Sequence, residues 1–159
     1  MPPTQQGLMN LTTTPETVHW PETHYVFIER IGPFEINAPQ AWQTLHQILP
    51  AVSEHNQITG YFALYKIESQ IYRAGVSVSA KPDHLPANVV YEKLPGGKYA
   101  RLTLTGSYSN LPAASGRAFQ IIRDSQLPLR DDYNIENYVN DPRTTLEDQL
   151  VTEIMFPTV

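Results

Sequence analysis

The chain has 159 residues, with 11 Lys plus Arg against 16 Asp plus Glu (net charge −5), 14 prolines, 9 tyrosines and no cysteine. Charged residues are 17% of the chain, below the roughly 25% of ordinary soluble domains, and so few cations exclude nucleic acid as a direct partner, because phosphate neutralisation needs clustered Lys and Arg. The lack of cysteine excludes disulfides, thiolate catalysis and zinc–thiolate sites; no apolar run approaches the ~18 residues of a membrane span, and the N-terminus has no secretory signal, so the cytoplasm is the expected compartment.

Residues 1–13 are polar and aperiodic and read as a flexible arm, followed by a single domain over 14–159. Tyr25–Ile31 is β-branched and aromatic, and Gly32-Pro33 stops it, which predicts a strand and a turn. Pro39 stands where a helix could open, because its missing N–H is harmless there. Ala41, Leu45, Ile48, Leu49 and Val52 then follow at spacings of three and four, so one helical face is apolar. Pro50 falls inside that run and should bend or end the helix. Two strands follow, Gly60–Ile67 and Tyr72–Ala80. In the second, Tyr72, Ala74, Val76 and Val78 alternate with Arg73, Gly75, Ser77 and Ser79, the mark of a half-buried antiparallel strand. Residues 81–95 carry Pro82, Pro86 and Pro95 and read as a connection.

The second half repeats the first. Lys98–Thr105 reads as a strand that Gly106-Ser107-Tyr108 stops, and Pro112 opens a helix bearing Ala118, Phe119 and Ile122. Asn134–Val139 and Leu150–Phe156 read as strands. Between them Asp141-Pro142 breaks the chain, and Thr144 with Glu147 can cap a short helical turn. The plan is strand–helix–strand–strand twice, with repeats of about 14–80 and 96–159. It predicts an α+β fold: two βαββ repeats with pseudo-twofold symmetry, one antiparallel sheet, two helices and a central cleft. Seams of that kind are common ligand sites.

Glu153 is the strongest anomaly. It lies in Leu150-Val151-Thr152-Glu153-Ile154-Met155-Phe156-Pro157, a strand apolar on both faces, where a carboxylate is costly unless paired or protonated. The alternative is an edge position in solvent, or a pairing with Arg73 or Arg101. Glu136 is the second candidate, on one strand face with Tyr138; its alternative is a solvated strand glutamate. If the last two strands form a hairpin, the two glutamates can approach each other, register permitting. Carboxylates among aromatics suit two tasks. One is binding a lipophilic cation, attracted by ring faces and the carboxylate charge. The other is acid/base chemistry, because burial raises a glutamate's pKa. The excess of tyrosine over phenylalanine (9 to 5) suits a pocket lining, since a buried phenol needs a polar partner. His19, Glu22 and His24 have no evident third ligand and predict no metal. No G-x-S-x-G, P-loop or G-x-G-x-x-G occurs, and Gly96-Gly97 reads as a turn.

Four stretches carry a family resemblance: Ile31-Gly32-Pro33-Phe34, Gly96-Gly97-Lys98-Tyr99, Gly106-Ser107-Tyr108, and Ile135-Glu136-Asn137-Tyr138-Val139-Asn140-Asp141-Pro142 with the closing Leu150–Pro157. With them the chain, from about Thr14 to its end, resembles the GyrI-like (gyrase-inhibitor-like) small-molecule-binding domain. That family includes effector-binding halves of AraC-type and MerR-type transcription regulators and stand-alone proteins. The resemblance implies paired βαββ units enclosing a cleft for hydrophobic, often cationic, molecules, with Glu136 and Glu153 as the acidic pair and Tyr138 beside them. Many members carry an aromatic two residues after the last glutamate; here that residue is Met155, a softer floor. Tyr99, Tyr65 and Trp42 complete the expected ligand-binding set. The haem-binding SOUL family is similar in fold, but no axial ligand stands out, and no cofactor is expected.

Three functions follow. The first is a stand-alone binding module for a lipophilic, drug-like or toxin molecule, in sequestration or effector sensing. The second is a hydrolase of strained electrophilic toxins with Glu153 as acid/base, as some stand-alone relatives imply. The third is a protein-interaction module of gyrase-inhibitor type, which would supply a protein partner.

Overall fold

The period-two runs become strands and the runs spaced by three and four become helices in the computed structural model, which describes residues 10–159. The elements are β1 (Asn10–Leu11), β2 (Glu16–Trp20), β3 (Thr23–Ile31), α1 (Phe34–Ser53), β4 (Ile58–Lys66), β5 (Ile71–Val78), β6 (Val90–Leu94), β7 (Gly97–Thr105), α2 (Leu111–Asp124), β8 (Asn134–Tyr138) and β9 (Val151–Pro157). The strands form one antiparallel sheet in the order β1-β7-β9-β8-β4-β5-β3-β6, with β2 also on β7. The fold is α+β, and the order strand–helix–strand–strand occurs twice, as β3-α1-β4-β5 and β7-α2-β8-β9. Among the described residues no helix is long and apolar enough to cross a membrane.

Four local readings are corrected. Helix α1 starts at Phe34, not at Pro39, and continues through Pro50 to Ser53. Each proline deletes one backbone bond, but Ala41, Leu45, Leu49 and Val52 are buried against the sheet, and that burial outweighs the losses. The stretch 81–95 is more than a connection, because it holds β6 on the outer edge of β3. The stretch read as an arm lies partly outside the described residues, but Asn10 and Leu11 pair with Thr105 and Leu104. The short helical turn before the last strand is a 3₁₀ turn at Glu147–Gln149 that starts from Leu146 without a side-chain cap, so Thr144 does not cap it.

Two short links shape the sheet. Only Pro21-Glu22 joins β2, which pairs with β7, to β3, and only Pro95-Gly96 joins β6, which pairs with β3, to β7. In a flat sheet β7 and β3 would be about 24 Å apart, five strand spacings, whereas three Cα–Cα steps span at most about 11 Å. The sheet must therefore curl. Trp20, on the outer edge of β7, meets Phe62 of central β4 with ring centroids 5.3 Å apart. The links cross where Gly96 has φ +78°, and a Cβ there would lie 2.3 Å from the Trp20 carbonyl oxygen. Only glycine allows that approach.

The helices cover the outer side of the curl. Helix α1 packs on Val26, Ile28, Ala63, Tyr65, Tyr72, Ala74 and Val76. Helix α2 packs on Ala100, Leu102, Leu104, Ile154 and Phe156. The inner side is filled by Tyr25, Phe27, Phe62, Leu64, Tyr99, Ile135 and Met155. Tyr25 lies flat on Gly75, where a Cβ would come within 2.4 Å of the ring, and its hydroxyl donates to the Phe62 carbonyl at 2.8 Å. The polar face expected for β5 is thus covered too, because the curl brings aromatic rings over it.

Candidate functional site

Strand β8 runs through the middle of the sheet, between β4 and β9. Its register sets Glu136 opposite Ala63 on one side and Ile154 on the other. Both neighbours are fully buried under the helices, so Glu136 also rises on the helix side. The methyl of Ala63 leaves room beside the carboxylate. Tyr138, two residues on, shares that side and stands opposite Tyr61 and Thr152.

A chain of donors ends on Glu136. The Trp42 indole N–H donates to the Tyr72 hydroxyl at 2.7 Å. The Tyr72 and Tyr138 hydroxyls bond each other, and the Tyr138 hydroxyl donates to Glu136 Oε1 at 2.5 Å. Ser115 of α2 supplies a second hydrogen bond. Burial nonetheless holds the Glu136 carboxyl above the ordinary carboxylate range, against the two hydrogen bonds that favour its charged form. Burial and the nearby Glu136 charge push the Tyr65, Tyr72 and Tyr138 phenols up as well.

Aromatic rings surround this carboxylate. Trp42 and Tyr108 meet the Tyr138 ring edge-on, with centroids 5.4 and 5.5 Å away. Phe34 meets Tyr65 at 5.9 Å and Tyr72 at 5.8 Å. No ion pair among the described residues involves Glu136. Among the described residues the Tyr108 hydroxyl is buried without a hydrogen-bond partner, as is the hydroxyl of Thr152, which stands opposite Tyr138. A half-buried carboxylate with no cation partner among the described residues, and with Tyr65, Tyr72, Tyr108 and Tyr138 close enough to feel its charge, can accept a positive charge from outside the chain.

The other glutamate is elsewhere. Register pairs Asn137, not Glu136, with Glu153, so the two carboxylates lie on opposite faces of the sheet. Glu153 accepts from Arg101 Nη1 at 3.0 Å and from Asn137 Nδ2 at 2.8 Å. Arg101 also reaches Glu16, at 3.4 Å. The Arg101 alternative is thus the geometry observed. Met155 and Tyr99 are buried on the inner side with Glu153. Of the seven expected ligand residues, Glu136, Tyr138, Tyr65 and Trp42 come together on the helix side; Glu153, Met155 and Tyr99 do not join them.

Sequence reasoning passed over Phe34, Tyr72, Tyr108 and Ser115. The alternation of β5 puts Tyr72 on the apolar face with Ala74, which was a usable signal. For Ser115 there was none, because only the placement of α2 over β8 brings it to Glu136. Among the described residues no three His, Asp or Glu are placed to hold a metal ion. His24 instead shares a 2.7 Å hydrogen bond with the Tyr91 hydroxyl.

Residues 13–159 match the model of one family, described as a GyrI-like small molecule binding domain. No curated relative matches. Among solved structures, the C-terminal domain of EcmrR is similar with a TM-score of 0.75 at 19% identity, covering 96% of this chain and 98% of that one. EcmrR in its DNA complex gives a TM-score of 0.71 at 18% identity; the match covers 98% of this chain, which spans 60% of that one. SAV2435 bound to tetraphenylphosphonium gives 0.66 at 13% identity, covering 91% of this chain and 93% of that one. A hydrolase from Listeria innocua gives 0.57 at 12%, covering 98% and 97%. At such identities these four structures show the fold alone.

Proposed function

The chain belongs to the GyrI-like small molecule binding domain family, and from that premise we propose that it binds a lipophilic cation between α1 and α2, with Glu136 as counter-charge. The observation that carries this reading is the Glu136 carboxylate, raised in pKa by burial, without a cation partner and ringed by Trp42, Tyr72, Tyr108 and Tyr138. Ring faces attract a cation, and its apolar body replaces water over the rings. The similar SAV2435 fold bound to tetraphenylphosphonium supports the choice of ligand class. Such a module serves sequestration or effector sensing; EcmrR, whose C-terminal domain has the similar fold, is itself seen in a complex with DNA.

The test is calorimetric titration with tetraphenylphosphonium and with neutral triphenylphosphine oxide. A cation about 6 Å from the carboxylate gains about 2.8 kcal/mol at an effective dielectric of about 20. Screening at the half-open site reduces that, so Glu136→Gln should weaken the cation roughly 10–100-fold. The oxide should bind wild type and variant alike, and Glu153→Gln should change neither ligand, because Arg101 and Asn137 already hold that carboxylate. Undiminished cation binding by Glu136→Gln would sink the proposal.

One feature favours a hydrolytic second reading. The raised carboxyl of Glu136, hydrogen-bonded at 2.5 Å to Tyr138, is suited to take a proton from water that attacks a bound strained electrophile, and to return it to the atom released when the strained bond breaks. The role first assigned to Glu153 then belongs to Glu136. Strained electrophiles incubated with the protein should gain the mass of water, and Glu136→Gln should abolish the gain. Turnover that survives the substitution would exclude this role.

A further inference from the structure

We propose a second ligand site on the inner side of the curl, separate from Glu136, which takes a small neutral aromatic molecule carrying one hydrogen-bond acceptor. A hollow of about 130 Å³ lies there, walled by Trp20, Leu64, Leu94, Tyr99, Tyr133 and Ile135. An apolar cavity of about 150 Å³ is enough to hold benzene, so the size fits a one-ring ligand.

The hollow is held open by its frame. The crossing of the two links fixes its edge, since Gly96 has no side chain to fill it and already touches the Trp20 backbone. Cations rest against the two tyrosine walls. Arg130 lies 5.0 Å from the Tyr99 ring centre, and Arg73 lies 4.5 Å from that of Tyr133. Neither ring can swing inward without giving up that contact.

Charge at the rim decides against an ionic ligand. Glu92 is bonded to Arg73 at 2.7 Å, Lys93 to Glu22 at 3.4 Å, and Asp132 to Arg130 at 3.2 Å. Each ionised group around the hollow already has a partner of opposite sign. Glu136, by contrast, has none. Among the described residues that wall the hollow, one buried side-chain polar atom lacks a partner, Trp20 Nε1, on a ring that this hollow shares with the neighbouring one along Thr59 and Asn137. An indole N–H can only donate, and a buried donor without a partner is costly. The missing element is an acceptor, such as a ketone or ether oxygen on the ring.

Trp42 borders Glu136, whereas Trp20 lines this hollow and also the neighbouring one walled by Thr23, Thr59, Phe62 and Asn137; Leu94 lines this hollow and not that one, and so tells the two apart. In ¹⁵N-labelled protein each tryptophan gives one indole N–H resonance, assigned with Trp20→Phe and Trp42→Phe. Acetophenone should move the Trp20 resonance saturably and leave Trp42 in place; tetraphenylphosphonium should move Trp42 alone. Cumene, of the same shape without an acceptor, should bind about tenfold more weakly than acetophenone. Benzamidinium, of similar shape but charged, should not move Trp20. Leu94→Phe, at a half-buried wall position, should fill the hollow and abolish the acetophenone shift while Trp42 still answers tetraphenylphosphonium. The proposal is overturned if Trp20 stays unmoved to the solubility limit of acetophenone, if Trp42 alone responds to it, or if the Trp20 shift survives Leu94→Phe. Equal binding of benzamidinium would overturn the neutral ligand class.

Discussion

Replacing Glu136 by Gln should make the ligand-free protein more stable at pH 8 and leave it unchanged in acid. Burial raises the folded carboxyl above its ordinary value of 4.5. Between 4.5 and that raised value the folded chain holds a proton that the unfolded chain has lost. Stability from this group therefore falls as pH rises through that window, and the loss is complete above it. Below 4.5 both states are protonated and the penalty vanishes. Gln keeps the acceptor oxygen for Tyr138 and carries no charge to desolvate. A tenfold difference in proton affinity corresponds to about 1.4 kcal/mol, and in a domain of this size about 1 kcal/mol moves Tm by roughly 2–4 °C. The gap is expected to favour Glu136→Gln at pH 8 and to close towards pH 4. The assay is thermal unfolding of both proteins across that range. Both proteins share every other ionisable residue, so the gap isolates this one. Equal melting temperatures at pH 8, or a gap that persists in acid, would refute the reasoning. Together with the calorimetric test, that outcome would identify Glu136 as a residue that lowers stability and serves ligand affinity.

Three further substitutions probe the frame. Gly75→Ala drives a methyl to 2.4 Å from the fully buried Tyr25 ring and should cost about 1–3 kcal/mol; an unshifted urea midpoint would show that the ring is free to move. Arg101→Met leaves Glu153 with Asn137 alone, and should cost about 1–3 kcal/mol, because both side chains are mostly buried at 29% and 20% exposure. A double-mutant cycle with Glu153→Gln should return a coupling of at least about 0.5 kcal/mol, and simple additivity would show the pair to be unimportant. Pro50→Ala, at an exposed position inside α1, restores a backbone N–H to the helix and should raise stability by about 1–2 kcal/mol; an unchanged Tm would mean that the missing hydrogen bond costs nothing at that position.

The elements that local pattern could reveal were those with strong periodicity. Alternation in Tyr72–Val78 and Val151–Phe156, and the three-and-four spacing from Ala41 to Val52, each bury one or both faces. Strands β2 and β6 escaped notice for the opposite reason. They are short edge strands with largely exposed side chains, and their stability comes from partners some 80 and 65 residues away by register. The start of α1 was misplaced because Pro39 looked like an opening residue, yet burial along the whole face sustains a helix that begins earlier.

At the candidate site, period two alone tied Glu136 to Tyr138, and the tyrosine excess pointed to phenols with polar partners, as Tyr72 and Tyr138 prove to be. The identity of the family was also written in the residues, through Glu136-Asn137-Tyr138 and the closing strand. What no local pattern could decide was the relation between the two glutamates. That depends on the register of β8 on β9, and a shift of one residue would exchange the faces. Tertiary structure set Glu136 beneath the helices without a cation, and set Glu153 on the other face beside Arg101, 52 residues away in the chain. It also curled the sheet, through two links too short to cross it flat, and so made the inner hollow around Trp20. Strand faces are local properties of the chain; register, pairing and enclosure are long-range ones, and they decide which carboxylate is left without a partner.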